Sequence, residues 1–236
     1  VYLHAGGFTS GDKSGDAGIL QWLCSKGYVA AGINYTLFSE EHPDANVYTQ
    51  SVEIRDSIPY VLAEAEQRGY SIDRMAVSAG HTLAMLYAYR DAVVSPVPVK
   101  LVFGAVGPSC FYPEDWSCFG FDRNPEAASA MFSVMSGNSI TPEMIGTPAY
   151  GEAVKNISAL AWIDGNSVPT VCAYGAHDKM QAFPASKRLA AALEKYGVPH
   201  EYIVFPHSGH GLQNDNKLYA LYMEKVVEYL DKYMGE

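Results

Sequence analysis

The chain has 236 residues, 48% of them hydrophobic and 18% charged, enough to bury one substantial core without disulfides or metals. Its formal net charge of −10 argues against a nucleic-acid partner, which needs a basic surface, and disfavours anionic membranes. No apolar run of about 18 residues is present, so no membrane span is implied.

In chain order, apolar runs of strand type alternate with stretches of helical period. Val1–His4 reads as a strand end. Helical spacing follows over 15–27 (Ala17, Ile19, Leu20, Leu23), stopping at Gly27. Val29–Tyr35 is the next strand, and 47–69 a long amphipathic helix stopped by Gly69. Arg74–Val77 is a short strand and Leu83–Asp91 a helix. Val99–Val106 and Pro169–Gly175 are strands apolar on both alternating sets, as strands covered on two faces should be. A helix over 183–196, a strand over Glu201–Pro206 and a helix over 216–233 complete the chain. This alternation predicts an α/β fold with a parallel sheet flanked by helices, its ligand site at the carboxyl ends of the strands.

Residues 107–168 break the rhythm. Pro108, Pro113, Pro125, Pro142 and Pro148, many aromatics and several Gly and Ser predict a loop-and-helix insertion acting as a cap over the strand ends. The expected organisation is one domain over 1–236 with this insertion.

Cys24 and Cys172 read as small buried hydrophobes. Cys110 and Cys118 are close enough in sequence to pair in an oxidising compartment, but four free thiols in a reducing, cytoplasmic setting is the preferred reading. A targeting signal preceding Val1 would lie outside this sequence. No Cys/His spacing suggests a metal, and no cofactor is implied.

Four features fall at predicted strand ends. They are His4-Ala-Gly-Gly-Phe8, Ser78-Ala79-Gly80 opening a helix, Gly175-Ala-His-Asp178, and Ser208-Gly-His210-Gly211. Their order, glycine loop, Ser, Asp, His, suits nucleophilic catalysis. A serine hydroxyl needs a base, histidine supplies one near neutral pH, and a carboxylate fixes the imidazole tautomer. Glycines after a strand expose N–H groups for an oxyanion, worth about 3–4 kcal/mol per donor. Each piece alone has an ordinary explanation: Ser78 as a helix cap, Asp178 as a turn former, His210 as a loop residue. His207 competes with His210 but sits beside Pro206 at the strand end, with less freedom to reach across. His4, His81 and His177 read as structural.

Together these motifs resemble the α/β-hydrolase superfamily, in particular its esterase/lipase group with a His-Gly-Gly motif. His4–Asp12 is similar to that group's H-G-G-G-F stretch, Asn34-Tyr35 to the tyrosine after its next strand, and Ser78-Ala-Gly to its nucleophile elbow. The resemblance covers nearly the whole chain outside the cap. It implies a catalytic set Ser78, Asp178 and His210, an oxyanion hole from the N–H groups of Gly6, Gly7 and Ala79, and a small-molecule ester as substrate. Phe8, Phe111 and Trp116 are expected to line the acyl or alcohol pocket, and small acyl or aryl esters suit such a cap better than long lipids. Acetyl or feruloyl esters of plant polysaccharide are included by analogy of fold.

Two departures stand out. Ala76 takes the place of the elbow's leading glycine, and the strand before Ser78 is short, as though elbow residues were absent. Either Ala suffices there, or Ser78 is an ordinary residue beside the nucleophile's usual place. Two strands that the family carries before the His-Gly-Gly strand are also absent. About six strands remain, in the family's order 4-3-5-6-7-8, with Val29–Tyr35 an exposed edge that segments absent from this sequence, a homo-oligomer or another part of the structure would cover. The rival readings are a prolyl-oligopeptidase-like serine peptidase and a non-catalytic α/β-hydrolase binding module, the latter motivated by the altered elbow.

Overall fold

The structure is a computed structural model, and it describes residues 1–78 and 80–235. Six parallel strands form its sheet: β1 (Tyr2–Leu3), β2 (Gly32–Ile33), β3 (Met75–Ser78), β4 (Val99–Ala105), β5 (Thr170–Gly175) and β6 (His200–Phe205). Their order is β2-β1-β3-β4-β5-β6, the order expected from the sequence. The run Val29–Tyr35 pairs only at Gly32 and Ile33, because its neighbour β1 is itself two residues long. β4 and β5 are buried along nearly their whole length, as their double apolar pattern requires.

Helices cover both faces. α1 (Ala17–Ser25) and α7 (Asn216–Met234) lie on one, and α2 (Val47–Gln67), α3 (His81–Leu86) and α6 (Phe183–Lys195) on the other. The strand period of two divides the core accordingly. Leu101, Phe103, Val171 and Ala173 join Val226 and Leu230 of α7, whereas Val102, Cys172 and Tyr174 join Ile54, Leu83 and Leu189.

α2 begins where Asn46 accepts from the Thr49 N–H and Thr49 answers to the Asn46 N–H, a reciprocal cap. It ends at Gly69, whose φ of +86° suits a residue without Cβ. α3 continues beyond Leu86 as one wider turn, Tyr87–Asp91, within the helix expected over 83–91.

The insertion over 107–168 is more helical than its prolines suggest. It holds α4 (Pro125–Ser136), α5 (Pro148–Val154) and 3₁₀ turns that include Pro113–Phe119 and Pro142–Met144. Pro113, Pro125, Pro142 and Pro148 each stand in the first turn of one of these, where a missing N–H costs nothing and the fixed φ is already helical. The same residue type that breaks a helix inside begins one at its end. All four cysteines are free: Cys110 and Cys172 are buried, Cys24 and Cys118 exposed, so Cys110 and Cys118 do not pair. Among the described residues no helix is long and apolar enough to cross a membrane, and no group of three His, Cys, Asp or Glu could hold a metal ion.

Candidate active site

The segments singled out in the sequence follow the carboxyl ends of β1, β3, β5 and β6. Two of them meet through their side chains. Asp178 follows β5, with its carboxylate fully buried. Its Oδ1 accepts from the N–H groups of Met180 (2.7 Å) and Gln181 (3.0 Å). Its Oδ2 lies 2.8 Å from His210 Nδ1. A carboxylate is an acceptor only, so this contact suits the His210 tautomer with its N–H on Nδ1 and turns Nε2 away from the acid. The imidazole is about half exposed (47%), so its other edge is open to a ligand.

The acid and histidine loops touch through backbone. The His177 N–H donates to the Ser208 carbonyl at 3.0 Å. A Cβ on Gly175 would fall 2.2 Å from the Gly209 carbonyl oxygen, so only glycine permits this approach.

The glycine loop after β1 is held from below. His4 is buried, stacked on Tyr35 at 4.3 Å, and its carbonyl accepts from the Tyr35 hydroxyl. This is the structural role expected of it. Gly6 has φ +146° and Gly7 φ +59°, and a Cβ on Gly6 would lie 1.9 Å from the Ser10 carbonyl oxygen. The Gly6 carbonyl accepts from Ser10 Oγ and N, while neither the Gly6 nor the Gly7 N–H has a partner among the described residues. Asp12 closes the loop through bonds from Ser14 and Asn34, which hold its carboxyl down at about 2. Gln50 Nε2 donates to the Phe8 and Thr36 carbonyls, fixing Phe8 at φ +71°.

Ser78 departs from expectation. It is not the first residue of a strand-to-helix turn but the last of β3, paired with Tyr2 and Phe103, its N–H donating to the Val1 carbonyl at 3.0 Å. Register partners in a parallel sheet share a face, and Tyr2 and Phe103 both pack with the α1/α7 cluster. Ser78 is buried, and among the described residues no hydrogen bond joins its hydroxyl to His210. The left-handed turn comes two residues later, at Gly80 (φ +46°), where a Cβ would meet the His4 carbonyl oxygen at 3.0 Å. The shortened elbow thus leaves Ser78 in the ladder while the turn itself still abuts the glycine loop. Ala79, expected to donate to the oxyanion, lies outside the described residues.

The expected pocket residues divide. Phe8 is half-buried beside the glycine loop. Phe111 and Trp116 are buried, stacked on one another, and each meets the edge of Phe132. They form the interior of the cap and correct the expectation that they line a pocket. Phe119 is the exposed ring of this cluster, and the Asp178 carboxylate adds to the rise in the pKa of Cys118 beside it, so this turn of the insertion lies near the acid loop. A groove of about 520 Å³ lies elsewhere, at the amino ends of β1 and β3, lined by Tyr2, Tyr28, Met75 and Met234 among others. The chemistry is not there.

The residue that sequence reading missed is Asp215. It pairs with His207 (Nδ1–Oδ1 2.8 Å) and accepts from Ser208 Oγ at 2.6 Å. Ser, His and Asp are thus brought together here, but not in the order of a catalytic set. The Ser208 hydroxyl is fully buried and bonded to the carboxylate rather than to the imidazole. The spacing Ser208 to Asp215 across a glycine-rich loop was the available signal, too common to single out.

With this geometry in view, the chain can be compared with known proteins. It is similar, at 21% identity and TM-score 0.66, to an acetyl ester-xyloside bifunctional hydrolase from Caldicellulosiruptor lactoaceticus, over 98% of this chain and 81% of that one. It is also similar to a thermophilic esterase from Thermogutta terrifontis, at 18% identity and TM-score 0.74, over 98% and 80%. A third similar structure is esterase B from Lactobacillus Rhamnosis, at 20% and 0.70, over 97% and 73%. At these identities the likeness shows the fold, that of the α/β-hydrolases. A curated relative, dipeptidyl aminopeptidase BIII of Pseudoxanthomonas mexicana, is 24% identical over 226 residues, and the chain spans 30% of its length. The BD-FAE family model matches residues 1–193, most of the chain, and the protein belongs to the BD-FAE family.

Proposed function

We propose that the protein is a carboxylic ester hydrolase that cleaves small acyl or aryl esters through an acyl-enzyme, acetyl and feruloyl esters of plant polysaccharide among them. The observation that carries this reading is the buried Asp178 carboxylate 2.8 Å from a half-exposed His210. The N–H groups of Gly6 and Gly7, without a partner among the described residues, are candidate oxyanion donors. In this mechanism the nucleophile attacks the ester carbonyl as His210 Nε2 takes its proton. The oxyanion is held by the glycine-loop N–H groups, and His210 returns the proton to the leaving alcohol. Water then repeats the sequence on the acyl-enzyme. Phe8 and the exposed Phe119 face the substrate in this reading, and Ser78 is the nucleophile, with the Ala79 N–H as a further donor.

Hydrolysis of p-nitrophenyl acetate tests this. His210→Ala should lower kcat/KM by on the order of 10³-fold or more, and Asp178→Ala by a similar order. Ser78→Ala should match His210→Ala; a loss under about tenfold removes Ser78 from the mechanism while leaving the histidine–aspartate pair in place. A folded protein that neither turns over ester nor takes a fluorophosphonate label would be a binding module instead. The match to a dipeptidyl aminopeptidase favours a second reading, amide hydrolysis, and a proline-containing p-nitroanilide assayed beside the ester separates the two. We also propose that one domain spans the chain and that a second copy covers the outer edge of β2.

A further inference from the structure

The loop that carries His210 is closed at its base by a second buried carboxylate. Asp215 stands just before α7, its side chain only 7% exposed. Its Oδ2 accepts from the His207 N–H (3.0 Å) and from Ser208 Oγ (2.6 Å), and its Oδ1 lies 2.8 Å from His207 Nδ1. Ser208 in turn accepts from the Asn214 N–H at its hydroxyl and from the His177 N–H at its carbonyl. Asn214 Nδ2 donates to the His207 carbonyl at 2.8 Å. Burial pushes the Asp215 carboxyl up, but the bonds from Ser208 and His207 more than offset it and keep the group ionised.

These bonds make a frame. One end is the start of α7, the other is His177, the residue before Asp178. His210 projects from the middle, two residues from Ser208. The loop contains Gly209 and Gly211 on either side of His210, which by themselves leave the backbone free to wander. A hydrogen bond between two side chains on separate loops holds its length only if both loops are fixed. About half of the imidazole's surface is open to solvent, so much of the fixing has to come from the loop's base.

We propose that Asp215 is a positioning residue for the Asp178–His210 pair, acting through the fully buried Ser208 hydroxyl and carbonyl. The role rests on the reading of His210 as the catalytic base. It needs no contact between Asp215 and substrate, and it gives the His207–Asp215 pair a use other than a rival catalytic dyad.

The test separates the brace from the chemistry. In the proton NMR spectrum the His210 Nδ1–H bonded to a carboxylate should give a downfield signal, assigned by its loss in His210→Ala. Asp215→Ala should broaden or remove that signal and lower kcat on p-nitrophenyl acetate by on the order of 10²-fold with KM little changed. Asp215→Asn, which retains an acceptor for Ser208, should restore most of both. Ser208→Ala, which keeps the carboxylate, should fall between, and it replaces Asp215→Ala if that variant does not fold. A sharp, unshifted signal in folded Ser208→Ala and Asp215→Ala with kcat within about threefold of the parent overturns the proposal. If His210→Ala keeps full esterase activity, the functional reading fails, while the NMR signal still reports on whether Asp215 holds the pair.

Discussion

Two histidines in this chain stand in opposite surroundings. His210 is open to solvent and has a carboxylate on one nitrogen. His81, three residues past Ser78, is buried; its Nδ1 lies 3.3 Å from the Tyr174 hydroxyl, and Gly104 and Gly107 are glycine where a Cβ would lie within 3 Å of its side chain. Burial without an anionic partner lowers its pKa from 6.5 to about 3. Below about pH 6.5 the unfolded chain takes up a proton that the folded state refuses. This contribution to stability is therefore full above pH 6.5 and is lost as pH falls toward 3, by about 1.4 kcal/mol per pH unit. Urea midpoints measured at pH 7.0, 6.0 and 5.0 should fall with pH, and the fall should be shallower in His81→Gln. Equal slopes in the two proteins would show that this imidazole is not the source. The sequence marks His81 only as structural; its neutrality comes from neighbours on β4 and β5, more than twenty and ninety residues away.

At the scale of elements, two arginines tie the cap to the sheet's helices. Arg188 of α6 holds Asp115 with two N–H groups (2.5 and 3.1 Å), reaches Glu114 at 3.2 Å and lies over the Tyr112 ring, so the 3₁₀ turn near the acid loop is clamped to α6. Arg90 is buried with Asp91, each side chain 7% exposed, and also donates to Ser51 of α2 and to the Asn156 carbonyl of the insertion. Removing one member of a buried pair leaves a charge without a partner. Arg90→Ala should destabilise the protein by about 3–5 kcal/mol, and the Arg90→Met/Asp91→Leu double variant by less than Arg90→Ala alone. Chemical denaturation of the three proteins checks the order, and a double variant less stable than Arg90→Ala contradicts it. The helices of the cap were legible only in part. Its prolines mark a loop-and-helix stretch without bounding its helices, because a sequence shows that a proline lacks an N–H but not whether it stands at the start or the middle of a turn. Phe111 and Trp116 were read as a pocket for a similar reason: aromatic residues mark apolar surroundings, and only packing against Phe132 tells interior from lining.

For the whole molecule, the sheet is covered on both faces, but among the described residues nothing pairs with the far side of one outer strand. That strand is β2, with Gly32 and Ile33 in the ladder. An open edge of this kind is a template for pairing with another chain. Sedimentation at micromolar concentration should find a dimer that Ile33→Lys shifts toward monomer; a parent protein that sediments as a monomer contradicts the proposed second copy.

The sequence by itself determined the fold class, while its resemblance to a known family carried the strand order and pointed to Asp178 and His210 as the candidate acid–base pair. The apolar periods of two and 3.6 are local quantities, and they decided which segments are strands and helices. The parallel βα alternation then restricted how these segments could be ordered. Asp178 and His210 followed because each comes directly after a well-formed strand, so their places depend on little else. What only the tertiary structure decided was how each loop is set against its neighbours. It put Ser78 in register with Tyr2 and Phe103 rather than on the turn, because a strand's end depends on where its partners stop. It made Asp215 the base of the histidine loop, since a carboxylate's partners are chosen by proximity after folding. Catalytic residue types can be read from order along the chain, but their alignment to within a hydrogen bond belongs to contacts between segments distant in sequence.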